Sequence, residues 1–151
     1  MSASSWLSLI VFLGLVAATS VTGASFRPGV WYASLAKPSW TPPNWVFPVV
    51  WTILYVMIAV AGWLVYEREG VGAALAVWAV ALVLNGVWSY LMFGQRQIGL
   101  AAADLAALWI AVLAFILLAW PEDRTASLLF VPYLAWISYA GALNLAILRM
   151  N

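Results

Sequence analysis

Ten of the eleven charged residues of this chain sit at positions 27, 37, 67–69, 96, 122–124 and 149. Between them run five apolar stretches, at about 5–24, 45–66, 71–93, 98–120 and 125–148. Each is roughly 20–24 residues long, and about 20 helical residues cross the ~30 Å hydrocarbon core of a bilayer. The runs are apolar on every face, whereas a membrane β-barrel needs alternating segments of about 10 residues. The spacing therefore predicts an all-α integral membrane protein, a bundle of five transmembrane helices in a single domain. Composition agrees: 67% of residues are hydrophobic and 7% charged, against roughly 25% charged in soluble domains. A water-soluble monomer could not cover such an apolar excess, and a disordered chain would need the opposite balance.

Three of the four connections are short, which forces neighbouring spans to run antiparallel. The first run is expected to be a retained helix, because residues 1–5 carry no Lys or Arg and a cleaved signal needs a basic start. The connection at 25–44 is longer and carries Pro28, Pro38, Pro42 and Pro43 beside Trp31, Tyr32 and Trp40. Disordered linkers lack such aromatics, so an ordered cap is expected there, with one short helix near 30–36. Arg27, Lys37, Arg96 and Arg149 fall on the side of this loop, and Arg68 and Arg124 on the other. The positive-inside rule then places loop 25–44 and the C-terminus in the cytoplasm.

Several chemistries are absent from the residue list. The chain has no Cys and no His, so it lacks thiolate and imidazole metal ligands and the commonest general base. A net charge of +1 offers no basic patch for nucleic acid. No Ser–His–Asp set, phosphate-binding glycine loop or metal cluster occurs, so a conventional enzyme is not expected. What remains is Trp, Tyr, Asn and shape.

The chain holds 11 Trp. Trp6, Trp45, Trp63, Tyr66 and Trp120 fall near span ends, where an aromatic belt at the headgroups accounts for them. Trp51, Trp88 and Trp136 lie further in. Trp51 and Tyr55 share a helix face, as do Asn85 and Trp88. Tyr133, Trp136, Ala140 and Asn144 recur at +3, +4 and +4 and are expected to form one stripe. All three sets lie toward the side of the long loop, so a flat aromatic ligand could stack on Trp and bond to Asn85 or a Tyr. The alternative is that Asn85 and Asn144 join helices by interhelical hydrogen bonds, which is common in membranes.

Asp104 is the one formal charge inside a span. Intramembrane acids default to functional hypotheses, yet here a helix contact competes with a transport or proton role. Gly72 and Ala76 form a small-xxx-small pair of the kind that lets helices approach closely, and they suggest a homodimer contact on the third span. The loose cholesterol-contact pattern is met by Val30, Tyr32 and Lys37, a chance match in a proline-rich loop.

The segment from Trp31 to Tyr55 reads WYxxLxKPxWxPPxWxFPxxWxxLY. With Asn85-x-x-Trp88, Phe93-Gly94, Val131-Pro132-Tyr133-x-x-Trp136 and Leu143-Asn144, it resembles the TspO/MBR family of translocator proteins, and the resemblance covers essentially the whole chain. It implies a five-helix bundle, often dimeric, whose first loop closes a pocket. It also implies binding of porphyrins, protoporphyrin IX and haem, and of isoquinoline carboxamide and benzodiazepine-type drugs. Animal members bind cholesterol. Some bacterial members promote light-dependent breakdown of protoporphyrin IX. By resemblance Trp51 and Trp136 line the pocket and carry that photochemistry, Asn85 and Ala140 border it, and Tyr32 and Trp40 lie over its mouth. The function expected is a membrane receptor or regulator of porphyrins. A porphyrin transporter and a light-dependent porphyrin-degrading activity are the alternatives. No cofactor is obligatory. Without Cys or His, metal-free porphyrin is expected to bind about as well as haem.

Overall fold

The computed structural model describes residues 1–151. Its helices are α1 (Ala3–Ser25), α2 (Val30–Ser34), α3 (Val46–Glu69), α4 (Ala73–Ser89), α5 (Ile98–Ala119), α6 (Arg124–Leu129) and α7 (Val131–Met150). A π-helical turn, Tyr90–Gly94, continues α4. There are no strands. Five helical stretches are long and apolar enough to cross a membrane: Ala3–Ser25, Val46–Glu69, Ala73–Gly94, Ile98–Ala119 and Arg124–Met150.

Local chemistry explains most helix ends. Ser2 caps α1, its hydroxyl accepting from Ser5 N at 3.2 Å, and Asp123 caps α6 by accepting from Ala126 N at 2.9 Å. Both satisfy amides that a helix start leaves free. Gly70 stops α3 at φ +70°, where a side chain would be strained. The last apolar run, expected as one helix, is divided at Phe130, which ends α6 and precedes α7. Pro132 in the first turn of α7 has no N–H to continue the ladder back into α6.

The spans form a ring in the order α3, α1, α4, α5, α7, closed by α6, which packs on α3. Their shared core holds Ile58, Val65, Trp78, Leu108, Phe115, Phe130 and Tyr133, all buried. Phe115 and Phe130 stack with centroids 4.0 Å apart. Outer faces stay apolar and exposed, as on Leu7, Ile10, Ile53, Val83, Ile110 and Leu117. That suits lipid contact and would be untenable in water.

The two ends of the bundle differ. At the end opposite the cap, Glu67 accepts from Ser5 (2.8 Å) and Ser8 (2.7 Å), tying α3 to α1. Trp63 joins this knot through Ser8 Oγ at 3.1 Å, so it is more than a belt residue. Arg68 pairs with Asp123 at 3.3 Å in an exposed bridge that contributes little. At the other end Arg96, held at φ 55°, lies over the Trp31 ring, and Asn151 reaches Ala36. Loop 25–44, the α4–α5 turn and the end of α7 therefore share one face. Gly72 is the residue before α4 rather than part of it, and Ala76 points outward and is exposed.

Candidate functional site

The cap between α1 and α3 is built around Tyr32, which is buried with Met92, Ala101, Leu143 and Ile147. Tyr32 meets Phe93 edge-on, centroids 5.6 Å apart. Lys37 folds back over the Tyr32 ring at 4.8 Å. Its Nζ donates to the carbonyls of Tyr32 (2.7 Å), Leu35 (3.0 Å) and Ala33 (3.3 Å), so a cation closes the carbonyl end of α2. Burial, with a smaller push from Tyr139, raises the Tyr32 phenol above its usual pKa. The sequence-expected role of Tyr32 over a pocket mouth thus takes the form of an anchor inside the cap.

Helix α7 holds this cap at two further points. Trp40, half exposed, packs edge-on against Tyr139, whose hydroxyl donates to the Trp40 carbonyl. The Asn151 side chain accepts from Ala36 N at 3.0 Å and donates to Ala36 O at 2.8 Å. Losing this pair removes two bonds of about 1 kcal/mol each. Asn151→Ala is expected to speed amide exchange in the segment 33–37 by up to about thirtyfold, measured by hydrogen–deuterium exchange. Unchanged exchange there would show that the Asn151 bonds do not hold the cap.

Beneath the cap, Trp51 stands against Tyr55 (5.4 Å) and edge-on to Tyr133 (6.1 Å). A directed chain joins three helices: Tyr55 donates to Asn85 Oδ1 at 3.1 Å, and Asn85 Nδ2 donates to the Tyr133 hydroxyl at 2.7 Å. A second chain lies nearer the cap. Trp88 Nε1 donates to Asn144 Oδ1 at 3.0 Å, and Asn144 Nδ2 donates to the Ile98 carbonyl at 3.1 Å. Both asparagines therefore join helices, while Asn85 also borders the Trp51 face.

The single stripe expected on the last span divides. Tyr133 and Asn144 turn inward and are buried, whereas Trp136 and Ala140 are half-buried. Trp136 stacks on Tyr139 (5.8 Å, 30°) and meets Phe47 edge-on (5.8 Å, 71°). Its Nε1 is buried without a hydrogen-bond partner. Such an orphaned donor invites an acceptor.

Between α3 and α7 lies a cleft of about 440 Å³, lined by Val50, Ile53, Leu54, Met57, Pro132, Ala135, Trp136 and Tyr139. That volume falls within the ~300–1,000 Å³ of small-molecule sites. The two helix backbones hardly approach each other, and aromatic side chains span the gap. Trp136 lines it, whereas Trp51 is not among its lining residues and packs on Tyr55 and Tyr133. Phe47 and Tyr139 belong to this site and escaped the sequence reading. Their signal was present: Phe47 precedes Trp51 by four residues, and Tyr139 follows Trp136 by three. A second cavity of about 550 Å³, at the far end among Arg68, Trp120 and Arg124, is lined chiefly by polar residues. No group of His, Cys, Asp and Glu could hold a metal ion.

Comparison with known proteins places this architecture. The chain matches the TspO/MBR family over residues 6–150. It is 41% identical over 145 residues to Protein CrtK of Rhodobacter capsulatus, covering 93% of this chain and 91% of that one. It is 39% identical over 146 residues to the tryptophan-rich sensory protein of Cereibacter sphaeroides, covering 97% and 92%. It is also 36% identical over 126 residues to the translocator protein of Homo sapiens, covering 80% and 75%. With five apolar spans, an aromatic cap and similarity along nearly its full length, this chain is a multi-pass membrane protein belonging to the TspO/MBR family.

Proposed function

We propose that this protein is a membrane receptor or regulator that binds porphyrins beneath the cap, against Trp51 and Trp136. The observation that carries the reading is the α3–α7 cleft: apolar, lined by Trp136, whose buried N–H has no partner, and by Tyr139, with Trp51 of α3 packed on Tyr55 and Tyr133. A flat, largely apolar macrocycle gains from stacking on such rings, and a carboxylate or carbonyl at its edge answers the free donor. The sensory and translocator names of the relatives agree with a receptor or carrier role. The face bearing the cap is assigned to the cytoplasm by its Lys and Arg excess. A homodimer through the outward face of α4, at Ala76, accompanies this reading.

The test is a dark titration of protoporphyrin IX into detergent-purified protein, followed by porphyrin absorbance and Trp fluorescence. Saturable binding at micromolar concentration is expected, weakened about tenfold or more in Trp51→Phe/Trp136→Phe protein. Haem is expected to bind about as well as the metal-free porphyrin, because the chain supplies neither thiolate nor imidazole. Non-saturable binding, or binding indifferent to both Trp, would refute the proposal. The aromatic surroundings of Trp51 and Trp136 also favour a second reading, light-driven loss of bound porphyrin assisted by these indoles. Illumination of the same two proteins separates it from simple binding.

A further inference from the structure

At the end of the bundle opposite the cap, three span ends meet. Arg68 in the last turn of α3, Trp120 just past α5 and residues 122–125 leading into α6 line a cavity of about 550 Å³. Its walls carry two guanidiniums, two carboxylates, the Thr125 hydroxyl and one indole. The depth is that of lipid headgroups, where apolar spans end and Trp collects. Two of the four charges satisfy each other. Arg68 Nε donates to Asp123 Oδ2 at 3.3 Å, the one ion pair of the chain, and Asp123 Oδ1 accepts from Ala126 N at 2.9 Å. That pairing engages only the Nε of Arg68, so both its Nη groups keep their N–H donors free.

The remaining two charges are opposite and unpaired. Arg124 lies over the Trp120 ring, its Cζ 4.9 Å from the centroid, and Glu122 is exposed. Neither takes part in an ion pair. The cavity thus offers one uncompensated cation, one uncompensated anion and spare N–H donors. A simple anion would meet Glu122 unfavourably, and a simple cation would meet Arg124. A ligand that carries both charges answers both. Guanidiniums favour phosphate, and a primary ammonium brings three donors to a carboxylate. A quaternary ammonium has no N–H and prefers an aromatic face, and Arg124 already occupies the Trp120 ring. Leu117 and Leu118, in the last turn of α5, and Leu128 on α6 are exposed, an apolar surface for acyl chains on the same helices.

We propose that this cavity seats the headgroup of a zwitterionic phospholipid with a primary ammonium, a phosphatidylethanolamine. Its phosphate meets Arg124 and the Arg68 Nη groups, and its ammonium meets Glu122. The exposed leucines favour a lipid over a free headgroup, because only a lipid has chains to place on them. The site is separate from the α3–α7 cleft, with which it shares no lining residue, and it stands or falls independently of porphyrin binding.

The experiment is native mass spectrometry of the full-length protein in detergent, titrated with phosphatidylethanolamine, phosphatidylcholine and phosphatidylglycerol of identical acyl chains. The first phosphatidylethanolamine is expected to bind about three- to fivefold tighter than either other lipid, the scale of one exposed charge contact. Glu122→Gln is expected to erase the preference over phosphatidylglycerol. Arg124→Gln is expected to weaken all three lipids by a similar factor and to keep their order. Both positions are exposed, and thermal unfolding confirms that each variant folds. Phosphatidylglycerol bound as tightly as phosphatidylethanolamine by the unaltered protein would overturn the assignment. So would a preference that survives in Glu122→Gln, or binding indifferent to Arg124→Gln. Glycerophosphoethanolamine, the headgroup without chains, is expected to compete only weakly. Competition equal to that of the whole lipid would identify a free headgroup as the ligand and overturn the lipid assignment. Failure to retain any of the three lipids would leave solvent as the occupant and overturn it too.

Discussion

Gly62→Val is expected to strip this protein of most of its stability. A Cβ at Gly62 would sit 2.5 Å from Cε2 and 2.6 Å from Nε1 of Trp78, far inside van der Waals contact. Trp78 cannot easily yield. Its Nε1 donates to the Ile58 carbonyl at 2.9 Å, and Phe12 packs edge-on against its ring at 5.1 Å. Overpacking such a site costs about 1–3 kcal/mol, and a displaced, unsatisfied indole N–H adds about 1–3 kcal/mol. Together they rival much of the ~5–15 kcal/mol that holds a typical fold. Gly14→Ala is the control, because a Cβ at Gly14 meets nothing within 4 Å and alanine favours the helix. Thermal unfolding in detergent should show a large fall for Gly62→Val and none for Gly14→Ala. Equal melting points would show that the α3–α4 approach is not the tight contact described.

Asn85→Leu should have the second-largest effect, for a different reason. Asn85 is both acceptor for Tyr55 and donor to Tyr133. Leucine has nearly the same bulk but leaves the Tyr55 hydroxyl without an acceptor and the Tyr133 oxygen without a donor. Each stranded buried group costs about 1–3 kcal/mol. Removing both hydroxyls as well, in Tyr55→Phe/Asn85→Leu/Tyr133→Phe, should recover much of that loss, because an interior with no polar group has none to satisfy. The comparison is a denaturant or thermal unfolding series on the three proteins: unaltered, Asn85→Leu and the triple variant. A triple variant less stable than Asn85→Leu alone would show that the chain does not act as a unit.

Both predictions depend on contacts that a linear reading reaches only in part. The five spans were legible because charge punctuates them: Glu67, Arg68 and Glu69 close α3, and Glu122, Asp123 and Arg124 separate α5 from α6. The break at Phe130 was not, because both sides are equally apolar and the cause is the missing N–H of Pro132. The aromatic face was legible as spacing, since Trp51 with Tyr55 and Asn85 with Trp88 repeat at helical intervals. The direction of each bond was not. Asn144 was grouped with Trp136 by periodicity, but it turns inward to Trp88 and Ile98, a choice made by partners 56 and 46 residues away. Trp78 went unnoticed for the same reason. Nothing in its own neighbourhood announces that Gly62, on another helix, leaves room for its ring.

The cap shows a similar division. Its prolines and aromatics signalled an ordered segment, and α2 lies within it. That α7 pins it through Tyr139 and Asn151 follows only from the tertiary arrangement. Tyr139 stacks on Trp136 and also bonds Trp40, so the residue that pins the cap lines the cleft as well.

The most direct test of the account is where the ligand sits. The protein can be labelled uniformly with 5-fluorotryptophan, each ¹⁹F resonance assigned by Trp→Phe substitution, and protoporphyrin IX added in the dark. The account predicts shifts at Trp136, which lines the cleft, and at Trp51 on α3, and a smaller one at Trp40 above them. Trp63 and Trp120, at the opposite end of the bundle, should not move. Shifts confined to Trp63 and Trp120, or spread evenly over all 11 indoles, would contradict a porphyrin site beneath the cap.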